Sequence, residues 1–298
     1  MTTIHRAGTV LLWLLVQCAS AAADGPQLGP FKDALFAYPP LTATRDGGRV
    51  TDVAYEEMRD INGRDEVPER RVKRDYVDLA PLRRQEEAVL ATPDGALKFM
   101  TVGERAHPSA ILVFIHGRLG DRRLGMNDWT FGGNFNRLKN LMDRAGGLYV
   151  TADAGDFSPA DQRRIEALLH SLSTASPQAP LVLACGSMGG AICWAAAGDP
   201  QAVEDLDGMV LLGANNEREA LQGLLRAAGD RELPLVLAHG SADSVFPAEK
   251  DEALYAWLRK AHPGYPVRYV RVDGGGHGTP IRMIDWRETL NWIFAQLK

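Results

Sequence analysis

Three cysteines among 298 residues are too few for a disulfide framework, so a fold of this size must be held together by its core. Cys18 belongs to an apolar N-terminal stretch, which leaves Cys185 and Cys193 for the body of the chain. Two free, buried thiols acting as small hydrophobes are the expectation for that pair, with a single bridge in an oxidising compartment as the alternative. A basic stripe is missing too. Lys and Arg are interleaved with acids at a formal net charge of −5, which offers no footprint for nucleic acid. Long hydrophobic runs are also lacking: the stretch from Ala7 to Val16 is too short to span a bilayer comfortably. Neither internal repeats nor low-complexity tracts occur.

What is present is ordinary for a globular chain, at 45% hydrophobic and 24% charged residues. The N-terminus reads as a targeting segment. His5 and Arg6 precede the apolar run, and Ala19-Ser20-Ala21-Ala22-Ala23 follows it, the three-part layout of a secretory signal peptide cleaved after Ala21 or Ala23. Residues 1–23 are therefore expected to be removed, leaving an exported (periplasmic or secreted) chain with no stable membrane insertion. A tether through an uncleaved or Cys18-lipidated N-terminus is the alternative. Cleavage takes away Arg6 alone among the charged side chains, so −5 becomes −6, a balance that favours solubility.

Residues 24–86 are rich in proline and mixed charge and read as an arm packed on the main domain, with a short helix near Val53–Arg59 and a strand near Arg71–Val77. Residues 87–298 are regular. Ala88–Thr92 and Ala96–Val102 flank Pro93-Asp94-Gly95, which reads as a hairpin turning at the Asp-Gly. Short apolar runs follow at Ala110–Ile115, Leu148–Thr151, Leu181–Cys185, Met209–Leu212, Leu235–Ala238 and Val267–Val272. Helical patterns alternate with them at Phe135–Ala145, Ala160–Leu172, Gly189–Ala197, Glu217–Ala228, Lys250–Lys260 and Ile281–Gln296. Continuously apolar strands alternating with helices predict an α/β fold with a mostly parallel central sheet covered on both faces.

Leu181-Val182-Leu183-Ala184-Cys185-Gly186-Ser187-Met188-Gly189-Gly190 runs a buried strand into a serine among small residues and then into a helix. This resembles the nucleophile elbow of the α/β-hydrolase family. A strand that turns at once into a helix forces the serine into a strained conformation, so residues two before and two after it must be small. Cys185 stands where the family more often has Gly. Ile111–Ile115 ends in His116-Gly117-Arg118, where the family places its oxyanion loop. The resemblance implies the backbone amides of Arg118 and Met188 as oxyanion donors, with Leu119 as alternative to Arg118 and His116 as a brace.

Leu235–Ala238 leads into His239-Gly240-Ser241-Ala242-Asp243 and Val245-Phe246-Pro247, similar to the family's acid-bearing loop. Asp243 is then the triad acid and His239 a strand-end brace. Val270-Arg271-Val272-Asp273-Gly274-Gly275-Gly276-His277-Gly278 places a histidine in a glycine-rich loop before the last helix, where the family carries its base; Asp273 reads as a loop cap. The chain order Ser187, Asp243, His277 is that of the family. The resemblance spans roughly residue 88 to the C-terminus.

It implies a serine hydrolase that cleaves small-molecule carboxylic esters through an acyl-enzyme, with no metal or organic cofactor. The alternatives are an acyltransferase or peptidase with the same triad, or a non-catalytic binding protein on this fold. The segment from Gly213 to Pro234 holds one helix, so no large lid domain is expected. The loop Gly120–Asn134, with Met126, Trp129 and Phe131, is the candidate wall of the acyl pocket, together with Leu119.

Overall fold

The computed structural model describes residues 25–66 and 70–297. The expected signal peptide and Cys18 lie outside the described residues. A single helical turn, α1 (Asp33–Phe36), precedes strands β1 (Leu41–Arg45) and β2 (Val50–Ala54). A small ribbon, β3 (Asp65–Glu66) with β4 (Arg71–Val72), leads to the hairpin β5 (Gln85–Thr92) and β6 (Gly95–Gly103). Thr92 pairs with Gly95, so Pro93 and Asp94 form the turn and Gly95, at φ 106°, begins the return strand. Alternation then sets in: β7 (Ile111–Ile115), α2 (Arg122–Gly125), α3 (Asn134–Arg144), β8 (Leu148–Ala152), α4 (Pro159–Ala175) and β9 (Leu181–Gly186). After these come α5 (Gly190–Gly198), β10 (Gly208–Leu212), α6 (Arg218–Ala228), β11 (Leu235–Gly240), α7 (Ala248–Ala261), β12 (Val267–Asp273), α8 (Thr279–Met283) and α9 (Trp286–Phe294).

Ten strands form one sheet in the order β1-β2-β12-β11-β10-β9-β7-β8-β6-β5. From β2 across to β8 the neighbours run parallel; β1, and β6 next to β8, run against them. The strand side chains alternate between two cores, as a period of two requires. Ile111, Val113 and Ile115 of β7 face the core closed by α4 to α7, and Leu112 and Phe114 face the core closed by α3, α8 and α9. Both faces are buried, which is why the sequence shows continuous apolar runs. Between β10 and β11 the chain forms the single helix α6.

The structure departs from the sequence reading in three places. Residues of the expected arm supply two strands to the main sheet, since Thr51 and Val53 pair with Val270 and Val272 and β12 is thereby interior. Within that stretch the helical turn falls at Met58–Asn62 rather than on Val53, and the later strand shortens to Arg71–Val72 before a 3-10 turn at Arg74–Tyr76. The expected helix Ile281–Gln296 is two helices, because Ile284 turns extended (ψ 128°) and Asp285 caps a new start by accepting from the amides of Arg287 and Glu288. Finally, Cys185 and Cys193 are not free thiols. They are bridged, with their Cα atoms 6.2 Å apart, because β9 and α5 pack face to face with both residues fully buried. No helix among the described residues is long and apolar enough to cross a membrane.

Candidate active site

The parallel strands all deliver their C-terminal ends to one edge of the sheet, where ligands of open α/β sheets bind. Four of the loops at that edge carry His116, Ser187, Asp243 and His277. Ser187 directly follows β9 and has φ 51°, a left-handed conformation that a non-glycine residue adopts only at a cost of about 1–3 kcal/mol. Its surroundings leave no room for side chains. A Cβ on Gly189 would stand 2.5 Å from the carbonyl oxygen of His116, and one on Gly117 would stand 2.9 Å from the Cβ of Ser187. The glycines thus let the loop after β7 close onto the serine.

Ser187 Oγ lies 2.7 Å from His277 Nε2, and His277 Nδ1 lies 2.7 Å from Asp243 Oδ2. The carboxylate can only accept, so Nδ1 carries the proton and Nε2 is left to accept from the serine hydroxyl. Asp243 is pinned further by the amides of Val245 and Phe246, which donate to Oδ1 at 2.7 and 3.1 Å. Burial pushes the Asp243 carboxyl up, but the hydrogen bond from His277 and those amides outweigh it and hold the group below the usual carboxylate range. The two loops are stitched together: Ser241 N donates to Val272 O, Ala242 N to Gly275 O, and Gly274 N to Ser241 Oγ. The Asp243 side chain is fully covered, whereas that of His277 keeps 28% exposure, so the imidazole faces the open side.

Met188 occupies the first turn after β9, where amides have no intrahelical acceptor. Arg118 and Leu119 form the exposed tip of the loop after β7, and Leu119 has φ 64°. His116 is buried beneath them. Its Nδ1 donates to Gly117 O at 2.7 Å and its Nε2 accepts from Ala154 N at 3.0 Å, which braces the loop. Asp273 goes elsewhere, to Arg271 at 2.8 Å, and Glu217 pairs with Lys250.

The two aromatic candidates part company. Phe131 lies against Gly278, the residue after His277, 3.6 Å from where a Cβ there would stand, and packs edge-on to Phe135 of α3 with centroids 5.6 Å apart. Trp129 stacks against the Arg71 guanidinium, 3.7 Å from ring centroid to Cζ, and its carbonyl accepts from Val72 N. Its contacts run to the N-terminal ribbon. Phe246, of the loop that carries Asp243, packs edge-on to His277 at 5.5 Å. Met126 is buried in the core.

Behind Asp243 the expected brace His239 meets residues that no local motif announced, Asp251, Asn216 and Trp194. His239 is fully buried, with Nε2 3.2 Å from Asp243 Oδ2 and 2.8 Å from Phe246 O, and Nδ1 3.0 Å from Asp251 Oδ2. Asn216 donates to Asp251 at 3.0 Å and accepts from Trp194 Nε1 at 2.9 Å.

No protein-family profile matches this chain. No curated protein matches it in sequence. Solved structures do resemble it in fold. A thermostable esterase superposes with a TM-score of 0.54 at 15% identity, over 72% of this chain and 63% of that one. The Pyrococcus furiosus esterase Pf2001 gives 0.54 at 13% identity, over 71% and 92%. The Pyrococcus horikoshii acylaminoacyl peptidase gives 0.51 at 16% identity, over 67% and 39%. The match thus spans less than two thirds of the thermostable esterase and well under half of the peptidase. The chain has the α/β-hydrolase fold.

Proposed function

We propose that this protein is an exported serine hydrolase that cleaves small carboxylic esters, with Ser187 as nucleophile, His277 as base and Asp243 as acid. The observation that carries the reading is the unbroken hydrogen-bonded line from Ser187 through His277 to Asp243, with the serine at positive φ on a strand-to-helix turn. In the first step Ser187 Oγ attacks the ester carbonyl carbon while His277 Nε2 takes the hydroxyl proton. The amides of Met188 and Arg118 donate to the oxygen on which negative charge develops. Asp243 keeps the imidazole in the tautomer that accepts at Nε2 and stabilises the imidazolium. Collapse expels the alcohol, which receives that proton, and leaves an acyl group on Ser187. Water then attacks the acyl carbon, giving its proton to His277, and the acid departs as His277 returns that proton to Ser187 Oγ.

Apolar residues gather on the loops around this line: Leu119, Met188 and Val245 are 91%, 37% and 56% exposed, with Phe246 beside the base and Phe131 against Gly278, the residue after it. Such a rim suits an acyl chain of short to medium length, each methylene adding about 0.8 kcal/mol until the apolar surface is used up. The expected outcome is labelling by an active-serine probe and an early peak in rate against acyl length. Ser187→Ala and His277→Ala should each lower kcat/KM about 10³-fold or more in folded protein. Asp243→Asn should cut turnover while sparing substrate binding. A folded variant keeping about a tenth of its activity removes that residue from the mechanism. Export is checked by mass spectrometry: the mature chain should begin after Ala21 or Ala23, and a start at Met1 in the soluble cytosolic fraction speaks against it.

A further inference from the structure

His239 is a buried titratable group that the acyl-transfer steps do not use, and its surroundings fix how many protons it holds. Nε2 faces the carbonyl oxygen of Phe246 at 2.8 Å and the Asp243 carboxylate at 3.2 Å, and both are acceptors. Nε2 must therefore carry a proton. Nδ1 faces only Asp251 Oδ2, at 3.0 Å. That carboxyl is oriented from its far side. The Trp194 indole can only donate, so Asn216 turns its oxygen to the indole and its amide nitrogen to Asp251, 3.0 Å from each carboxyl oxygen. A bare Nδ1 against a bare carboxylate would set two acceptors together in a site with no exposure to water. One proton must lie between them, and the Asp243 carboxylate 3.2 Å from the ring favours its place on Nδ1.

We propose that His239 and Asp251 form a second, buried dyad that shares one proton and positions the triad acid Asp243 from behind. The pair has no net charge, but its cationic end, the imidazole, lies with Nε2 3.2 Å from Asp243 Oδ2, the oxygen that binds His277. It thereby holds Asp243 ionised and fixed in place, and moderates the negative potential felt at the base. Burial disfavours a charged His239, yet its hydrogen bond to Asp251 and that group's charge raise it above the usual imidazole value. Burial also raises Asp251, against its bond to His239. Both directions mean that the pair keeps its proton.

The other titratable and charged groups packed around the dyad leave this assignment intact. Tyr269 of β12 and Tyr255 of α7 are pushed up by burial and stay neutral. Arg271, the register partner of His239, is engaged by Glu252 and Asp273 at 3.1 and 2.8 Å. Glu217, on the loop beyond β10, pairs with Lys250. His277 meets the same oxygen of Asp243, its Nδ1 lying 2.7 Å from Oδ2. The dyad also ties Asp243 to Trp194 on α5, the helix that starts from the nucleophile turn, so acid and nucleophile are fixed to one another through a single polar chain.

The inference rests on the reading of Ser187, His277 and Asp243 as a triad, and Asp251→Asn tests it. The introduced amide can donate to Nδ1 and accept from Asn216, so the hydrogen bonds survive while the shared proton is lost. We expect kcat to fall on the order of ten-fold with KM little changed. The acid limb of kcat/KM should move to higher pH by on the order of half a unit, because the positive end facing Asp243 is gone. An unchanged pH profile, with or without loss of thermal stability, overturns the proposal. If that variant does not fold, histidine ¹⁵N spectra of the unmodified chain decide: a proton should be detected on the Nδ1 side of His239 between about pH 5 and 8. A bare Nδ1 there overturns it equally. Failure of the triad reading shows differently, as no labelling of the unmodified protein by a serine-directed probe.

Discussion

Proton counting at two histidines separates the roles that single residues play here. His277 has one nitrogen on a carboxylate and one on a hydroxyl, so it can cycle a proton. His239 has acceptors on both sides and holds its protons. This difference has a consequence for stability. A group raised in the folded state contributes fully below its unfolded value, near 6.5 for His239, and loses that contribution as pH rises through the folded value. Asp251, also raised, has the same sign. Asp243 is lowered, so its contribution holds above an unfolded value near 3.8 and fades only as pH falls through the folded one. Melting temperature should accordingly decline on the alkaline side of about pH 6.5, and Asp251→Asn should flatten that decline; parallel melting curves for the two proteins would count against it. The sequence made Ser187, Asp243 and His277 legible because each follows a strand within a few residues, among small neighbours. Asp251, Asn216 and Trp194 have no such signature. Each sits in an unremarkable helix or loop, and only the packing of α5, α7 and the loop beyond β10 brings them to one point.

At the scale of elements, the strand and helix pattern could be read because burial on both faces makes the strands continuously apolar and the helices amphipathic. Boundaries set by polar capping were harder to see. Asp285 looks like one more polar residue in a helical period until its bonds to two amides and to buried Arg137 show it starting a new helix. The Cys185–Cys193 bridge was hidden for a related reason: a spacing of eight residues says nothing until a strand, a sharp turn and a helix fold back on themselves. The bridge encloses Ser187. Closing a loop of that length restricts the unfolded chain by about 2–3 kcal/mol on an entropic account. Converting both cysteines to alanine should lower the free energy of unfolding by about that amount while serine labelling persists, because the glycines, not the sulfurs, make room at the turn. Denaturant titration of the two proteins measures it. Coincident transitions would mean that the bridge contributes nothing to holding the turn.

For the molecule as a whole, the question is what the first sixty or so described residues do. Their composition reads as an appendage, because proline and mixed charge mask how much of the segment is buried. Val53 and Val72 are fully covered, and Leu28, Phe31 and Phe36 nearly so. Asp65 and the carbonyl of Asp60 hold Arg282, a buried cation on the short helix that follows the His277 loop. Asp33 shares the wholly buried Arg137 with Asp285. Asp78 exchanges hydrogen bonds with Asn136 and bonds Asn140, buried on α3. A chain beginning at Gln85 would lose β1 and β2, expose the flank of β12, and leave Arg282 without its carboxylate and Arg137 with one of two. Stranding a buried charge costs about 3–5 kcal/mol, and a domain of this kind is stable by only about 5–15 kcal/mol. Loss of the apolar contacts of Leu28, Phe31 and Val53 adds to that. The truncated chain should therefore fail to accumulate as soluble, cooperatively melting protein, and its His277 loop should be the first part to lose order, since Arg282 anchors the helix behind it. Expression of the Gln85 start beside the full chain, followed by size-exclusion chromatography and a thermal melt, is the direct measurement. A soluble monomer with a melting temperature close to that of the full chain would show that the segment is dispensable to the fold, and that the two added strands serve something other than the stability of the site they flank.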